Sequence, residues 1–255
     1  MLFPSILMAV SLQPSQAMLR QLFEETLVRK KAEYGDSDTR TAQAARDLGL
    51  FLAEQGDRSR ARDCLAEAVQ INERALGPSA APTLADIVEL AGLSPPKQAE
   101  PLWHRAAAST DAAVAARALG ALGALRENAG DRAVAAKFYR HALAKEQVAS
   151  GRDSARVAVR LNALARAVKM PESIALLERA LAINRRRLGP RHPETATIEA
   201  NLAALLVNAG RAGEAVRLAS NAMSILEETA GAEHPRTAVV AAILVNARQA
   251  AGLAP

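Results

Sequence analysis

The sequence predicts an all-α solenoid of about five to six helix-turn-helix units, and three observations carry that reading. Glycines recur at a fixed interval: Gly35 and Gly77 are 42 residues apart, as are Gly189 and Gly231, and Gly151 belongs to the same series. Repeats on this scale mark arrays in which each unit buries its apolar face against its neighbours. The residues ahead of each glycine also share a pattern. Twelve before it stand Phe23, Leu65, Tyr139, Leu177 and Ala219; nine before it Thr26, Ala68, Ala142, Ala180 and Ala222; eight before it Leu27, Val69, Leu143, Leu181 and Met223. This is one apolar helical stripe with a small residue at a point of close approach. Finally, 50% of residues are hydrophobic but only 3% aromatic, a composition that suits tightly stacked helices and argues against a β-sandwich.

Residues 1–17 stand outside the repeat. Positions 2–12 are mostly apolar, Pro14 follows, and Ser15-Gln16-Ala17 puts small residues at −3 and −1 of a possible cleavage point. The segment therefore reads as a signal peptide or a disordered N-terminal stretch, with the solenoid over 18–255. Export to the periplasm or beyond is favoured over the cytoplasm, although no Lys or Arg precedes the apolar run. That run is too short to remain as a membrane span.

Each later element has a local reason. A helix over 18–34 ends at Gly35, and Asp36 to Asp38 offer caps for the next, over 39–54. Gly56-Asp57 turns the chain into a helix over 58–76, closed by Gly77-Pro78. A short helix over 83–93 stops at Ser94-Pro95-Pro96, and Pro101 leaves only 102–109 for its partner. Trp103 falls at the core position of Leu65 and Leu177 and is expected to fill the core. Regular helices follow over 111–128 and 132–148, then over 154–168 and 172–188 around a shortened turn at Lys169-Met170-Pro171. The last three cover 193–208, 210–228 and 235–250, with Pro193 and Pro235 in a first helical turn where a missing N–H costs nothing.

Within these units Asn201-Leu202-Ala203 recurs as Asp47-Leu48-Gly49 and Ala121-Leu122-Gly123, each starting nine residues before a turn glycine: Gly210, Gly56 or Gly130. Ala215, Ala61 and Ala135 stand five residues after those glycines. Leu, a small residue, Gly and Ala at these separations resemble the tetratricopeptide repeat. The 42-residue period and the loop LGPRHPETA at 188–196 narrow the resemblance to the kinesin-light-chain-like subclass. It covers roughly residues 18–255. It implies a right-handed superhelix whose first (A) helices line a concave groove, and a non-catalytic scaffold that holds a peptide or helix of a partner protein. An Asn just before the repeat's Leu often grips a bound peptide's backbone in such arrays. By resemblance that role passes to Asn201, to Asn208 on the same face, to Asn128 and Asn162 in other units, and to Asp47, which replaces Asn. Ala121 lacks the group.

Other chemistry finds no residue set. No G-x-S-x-G, H-E-x-x-H or P-loop pattern is present, so no enzyme is expected, and no cofactor. His192 and His234 belong to the repeat loop, and His104 and His141 lack neighbouring ligands at metal spacing, so no metal is expected. The lone Cys64 lies beside core position Leu65 and is expected to pack rather than react. Net charge is +5, but the basic runs 29–31 and 185–187 end helices, where cations favour the dipole, and no aromatics interleave them. Nucleic acid is therefore not the expected partner, a weak binder through the basic helix ends being the alternative. The apolar residues Val239, Val240, Ile243, Leu244 and Val245 suggest a second docking or self-association surface at the last helix. Mass spectrometry of protein recovered from its source cells tests the reading of residues 1–17: an N-terminus at Met18 is expected, and an intact Met1 would instead argue for the cytoplasm.

Overall fold

A computed structural model describes residues 15–254, and among them it contains twelve α-helices and no strand. They are α1 (Gln16–Tyr34), α2 (Thr39–Glu54), α3 (Arg58–Leu76), α4 (Ala81–Leu93), α5 (Pro96–Ala107), α6 (Ala112–Asn128), α7 (Arg132–Ser150), α8 (Ala155–Ala167), α9 (Glu172–Arg187), α10 (Pro193–Asn208), α11 (Ala212–Ala230) and α12 (Pro235–Ala250). The apolar part of the expected signal segment lies outside the described residues. At its end Ser15 caps α1, its Oγ accepting the Met18 N–H at 3.2 Å.

The chain divides into two compact units, Met1–Ala99 and Glu100–Pro255. In the first, α1 packs on α2, α2 on α3 and α3 on α4; in the second, each helix from α6 to α12 packs on the next. This is an all-α repeat solenoid of antiparallel helix pairs. The core of the second unit runs through Leu161, Leu177, Leu202, Leu206 and Leu218, all at most 5% exposed. Burying each such side chain contributes about 1.5–3 kcal/mol.

The loop glycine works because Gly adopts backbone angles other residues avoid. Gly189 has φ of 95° and lets α9 end before α10 starts. Three residues after each such glycine comes the N-cap of the next helix. Asp38 and Ser154 cap with oxygen, and His192 and His234 cap with Nδ1, which accepts the N–H of Glu194 and of Arg236 at 3.1 Å. Six residues after it comes a fully buried Thr whose hydroxyl donates back to the glycine carbonyl: Thr41 to Gly35, Thr83 to Gly77, Thr195 to Gly189 and Thr237 to Gly231, at 2.8–2.9 Å. Val157 fills this slot after Gly151 and cannot make the bond.

One expectation needs correction. The second helix of the irregular unit is not confined to 102–109: α5 begins at Pro96 and carries Pro101 inside it. Pro96 sits in the first turn, where no N–H is needed, and Pro95 accepts the first helical hydrogen bonds, from Gln98 and Ala99. Pro101 then removes a single bond within a helix held by buried Ala99, Trp103 and Ala106. Trp103 is a core residue, as expected. At the last helix, Val240 is buried while Val239 and Val245 stay 60% and 39% exposed, so the apolar residues there do not share one outward face.

Helix pairs approach closely at Gly49 and Gly123. A Cβ on Gly123 would lie 2.6 Å from the Tyr139 ring, whereas one on Gly92 of α4 would meet nothing within 4 Å. Gly123→Ala is expected to destabilise by about 1–3 kcal/mol through overpacking. Gly92→Ala, by contrast, should stabilise by up to about 1 kcal/mol through helix propensity. Urea denaturation of the two variants checks the opposite signs.

Candidate functional site

The polar residues singled out from the sequence lie on A helices, and the structure brings two of them together. Asn162 is on α8 and Asn201 on α10. Asn201 Nδ2 donates to Asn162 Oδ1 at 2.8 Å across the 39 residues between them. Both amides are half-buried. A primary amide has two donor hydrogens and two acceptor lone pairs. Among the described residues neither side chain makes another hydrogen bond, so the pair keeps donors and acceptors for a further group.

Two clefts flank Asn201. One, of about 190 Å³, is lined by Asn162, Ala165 and Arg166 of α8, Leu177 of α9, and Asn201, Ala204 and Leu205 of α10. The other, of about 210 Å³, lies between α10 and α12, with Leu226 of α11 in its wall, and is mostly apolar. Asn201 lines both clefts. Asn208 ends α10 and is exposed, two turns beyond Asn201 on the same stripe, and Asn128 holds the corresponding exposed place at the end of α6. Asp47 belongs to the first unit, where its carboxylate accepts from Gln43 Nε2 at 2.7 Å.

Sequence reasoning missed the charged groups that hold these helices. Arg166 makes a two-pronged contact with Glu127, Nε and Nη2 each 3.0 Å from a carboxylate oxygen, while the Tyr139 hydroxyl donates to the same group at 2.6 Å. The Arg166 contact, aided by the Tyr139 hydrogen bond, holds the Glu127 carboxyl below the usual range against the opposing effect of burial. Burial and the nearby Glu127 push the Tyr139 phenol upward. On α10, Glu199 is fully buried, accepts Arg185 Nη2 at 2.6 Å and also accepts Asn221, tying α10 to α9 and α11. In the first unit Asp86 plays the same part: Asn72 Nδ2 donates to it at 2.7 Å and Arg46 pairs with it at 3.1 Å. There burial outweighs both partners and raises the Asp86 carboxyl. A signal was available, since Asn72, Glu146 and Asn184 each stand five residues before a loop glycine and each is buried.

Little else here is reactive. Cys64 packs against the core cluster that contains Leu48 and Ala61, and burial pushes its thiol up to about 11, away from thiolate chemistry. Among the described residues no group of three His, Cys, Asp or Glu side chains could hold a metal ion. No helix among them is long and apolar enough to cross a membrane.

Stacked antiparallel helix pairs define a helical-repeat scaffold. Two tetratricopeptide repeat family models match the sequence, over residues 163–228 and 41–79. The chain carries tetratricopeptide repeats in these two stretches. Such repeats mediate protein–protein interaction and are generally non-catalytic. No curated protein matches the chain. Among solved structures, BtubC (BKLC) from P. vanneervenii superposes with a TM-score of 0.53 at 16% identity, over 94% of this chain and 85% of that one, a likeness of fold. A Podosopora anserina kinesin-light-chain candidate with nearly identical TPR-like repeats gives 0.44 at 21% identity, over 82% and 86%. The TPR2AB domain of yeast Sti1, solved as a complex with pHSP90, gives 0.42 at 14% identity, over 92% and 80%.

Because the folded pKa of Glu127 lies below its unfolded value near 4.5, its contribution to stability is complete above that value and is lost as pH falls through the folded one. Lowering the pH below about 4.5 should therefore remove stability from the wild type that Glu127→Gln does not lose. Chemical denaturation repeated on either side of that pH checks it.

Proposed function

We propose that the face formed by α8, α10 and α12 holds an extended segment of a partner protein, with Asn162 and Asn201 bonding its backbone. The observation that carries this reading is the Asn162–Asn201 pair itself, with Asn201 shared between two clefts. An amide can donate to a peptide carbonyl and accept from a peptide N–H, so it grips main chain whatever the side chains are. The clefts on either side give the segment's side chains somewhere to go. The amides are also held by a partner before any ligand arrives, which lowers the ordering cost of binding. Asn208, Asn128 and Asp47 are candidate outlying contacts in this scheme.

The test is selection of peptide ligands from a random displayed library on the full-length protein, followed by affinity measurement on wild type and Asn162→Ala/Asn201→Ala. The double variant should bind the selected peptides at least about tenfold more weakly, equivalent to about 1.4 kcal/mol, with its thermal midpoint unchanged. Equal binding by both proteins, or a library that yields no ligand, overturns the proposal.

A further inference from the structure

The cleft between α10 and α12 carries two features that its internal counterparts do not explain. Val239 opens onto it and is 60% exposed, with Val240, Ile243 and Leu226 forming the apolar wall around it. At its edge stands Arg236, in the first turn of α12. The first turn is the positive end of the helix dipole, where a cation is disfavoured and a carboxylate favoured. The residue 42 positions earlier, Glu194 in the first turn of α10, obeys that rule. The first turn of α12 has no acidic residue, and Arg236 makes no ion pair among the described residues. Arg40, at the same place in α2, is by contrast held by Asp38 at 2.8 Å, while Arg156, at that place in α8, is unpaired among the described residues like Arg236 but lines no such cleft. An unpaired cation thus sits where the helix itself repels it, beside an open apolar cleft.

We infer that this cleft selects the partner segment's sequence: it takes one apolar side chain against Val239 and Ile243, with a carboxylate one or two residues away meeting Arg236. The inference rests on the reading that Asn162 and Asn201 hold the segment's backbone, and it names the chemistry that segment must present. The carboxylate would answer both the unpaired guanidinium and the dipole of α12, so it is favoured twice at one place. Val239, Val240, Ile243 and Leu226 form one continuous apolar wall, so one apolar position is read in this cleft.

The experiment is the same library selection on the full-length protein, with sequencing of the bound peptides. Wild type should enrich an apolar residue accompanied within two positions by Asp or Glu. Arg236→Glu should keep the apolar position and exchange the acidic preference for Lys or Arg. Val239→Asp should lose the apolar preference. Arg156→Glu, in the matching first turn of α8 but outside the cleft, serves as control and should leave the consensus unchanged. Melting curves establish that each variant is folded. Peptides that depend on Asn162 and Asn201 yet show no apolar-acidic consensus overturn this inference and leave the backbone-gripping role standing, as does an Arg236→Glu protein with the wild-type consensus. Peptides indifferent to both asparagines overturn the backbone-gripping role and the inference with it.

Discussion

Two helices can lie as close as α6 and α7 only where one of them offers no side chain. Gly123 faces the ring of Tyr139 with no room for a Cβ, and Gly49 faces Leu65 in the same way in the first unit. Each stands seven residues before a turn glycine, and Ala203, fully buried, holds that place in α10. This contact fixes the distance within a pair, and the small residues nine before each loop glycine help the second helix seat against its neighbours. In α10 this place is where the helix carrying Asn201 seats on α11.

Much of this was legible because its causes are local. The bounds of α2, α3, α10 and α12 match the sequence reading residue for residue, since a cap, a turn glycine or a first-turn proline decides each end. α5 was misread for the opposite reason. Whether a helix tolerates Pro101 depends on what its other residues bury, and the burial of Trp103 and Ala106 is a tertiary fact that no local rule supplies. The site divides along the same line. That Asn201 stands on an A helix followed from the repeat; that it pairs with Asn162 did not, because the unit containing Asn162 has a shortened turn that obscures its register.

The buried carboxylates belong to a second layer of specification. Asp86 is raised because burial outweighs Asn72 and Arg46, so its ionised form is a cost to stability rather than a gain. Glu199 is likewise enclosed, between Arg185 and Asn221. What such groups supply is geometry: rotating α10 about its axis would strand a fully buried carboxylate, while an apolar side chain in its place would tolerate the slip. Glu199 and Asn201 lie on one helix, two residues apart, so the bond that fixes the first also aims the second.

The same register bears on how α12 can be used. The slot occupied by Gly49, Gly123 and Ala203 holds Val245 in α12, and it is 39% exposed. A helix laid against that side could not approach as α11 approaches α10, because the branched side chain occupies the space that the glycine leaves open elsewhere. Docking there would be looser than an intramolecular pair and would bury less area for the same length of helix. The opposite side of α12 carries no such obstruction. Val239, Val240 and Ile243 already form a wall with Leu226, and the Asn201 amide lies at its edge. Of the two sides of this helix, the one facing α10 combines apolar surface, a half-buried amide and an unpaired charge, the three features on which the proposed choice among partners rests.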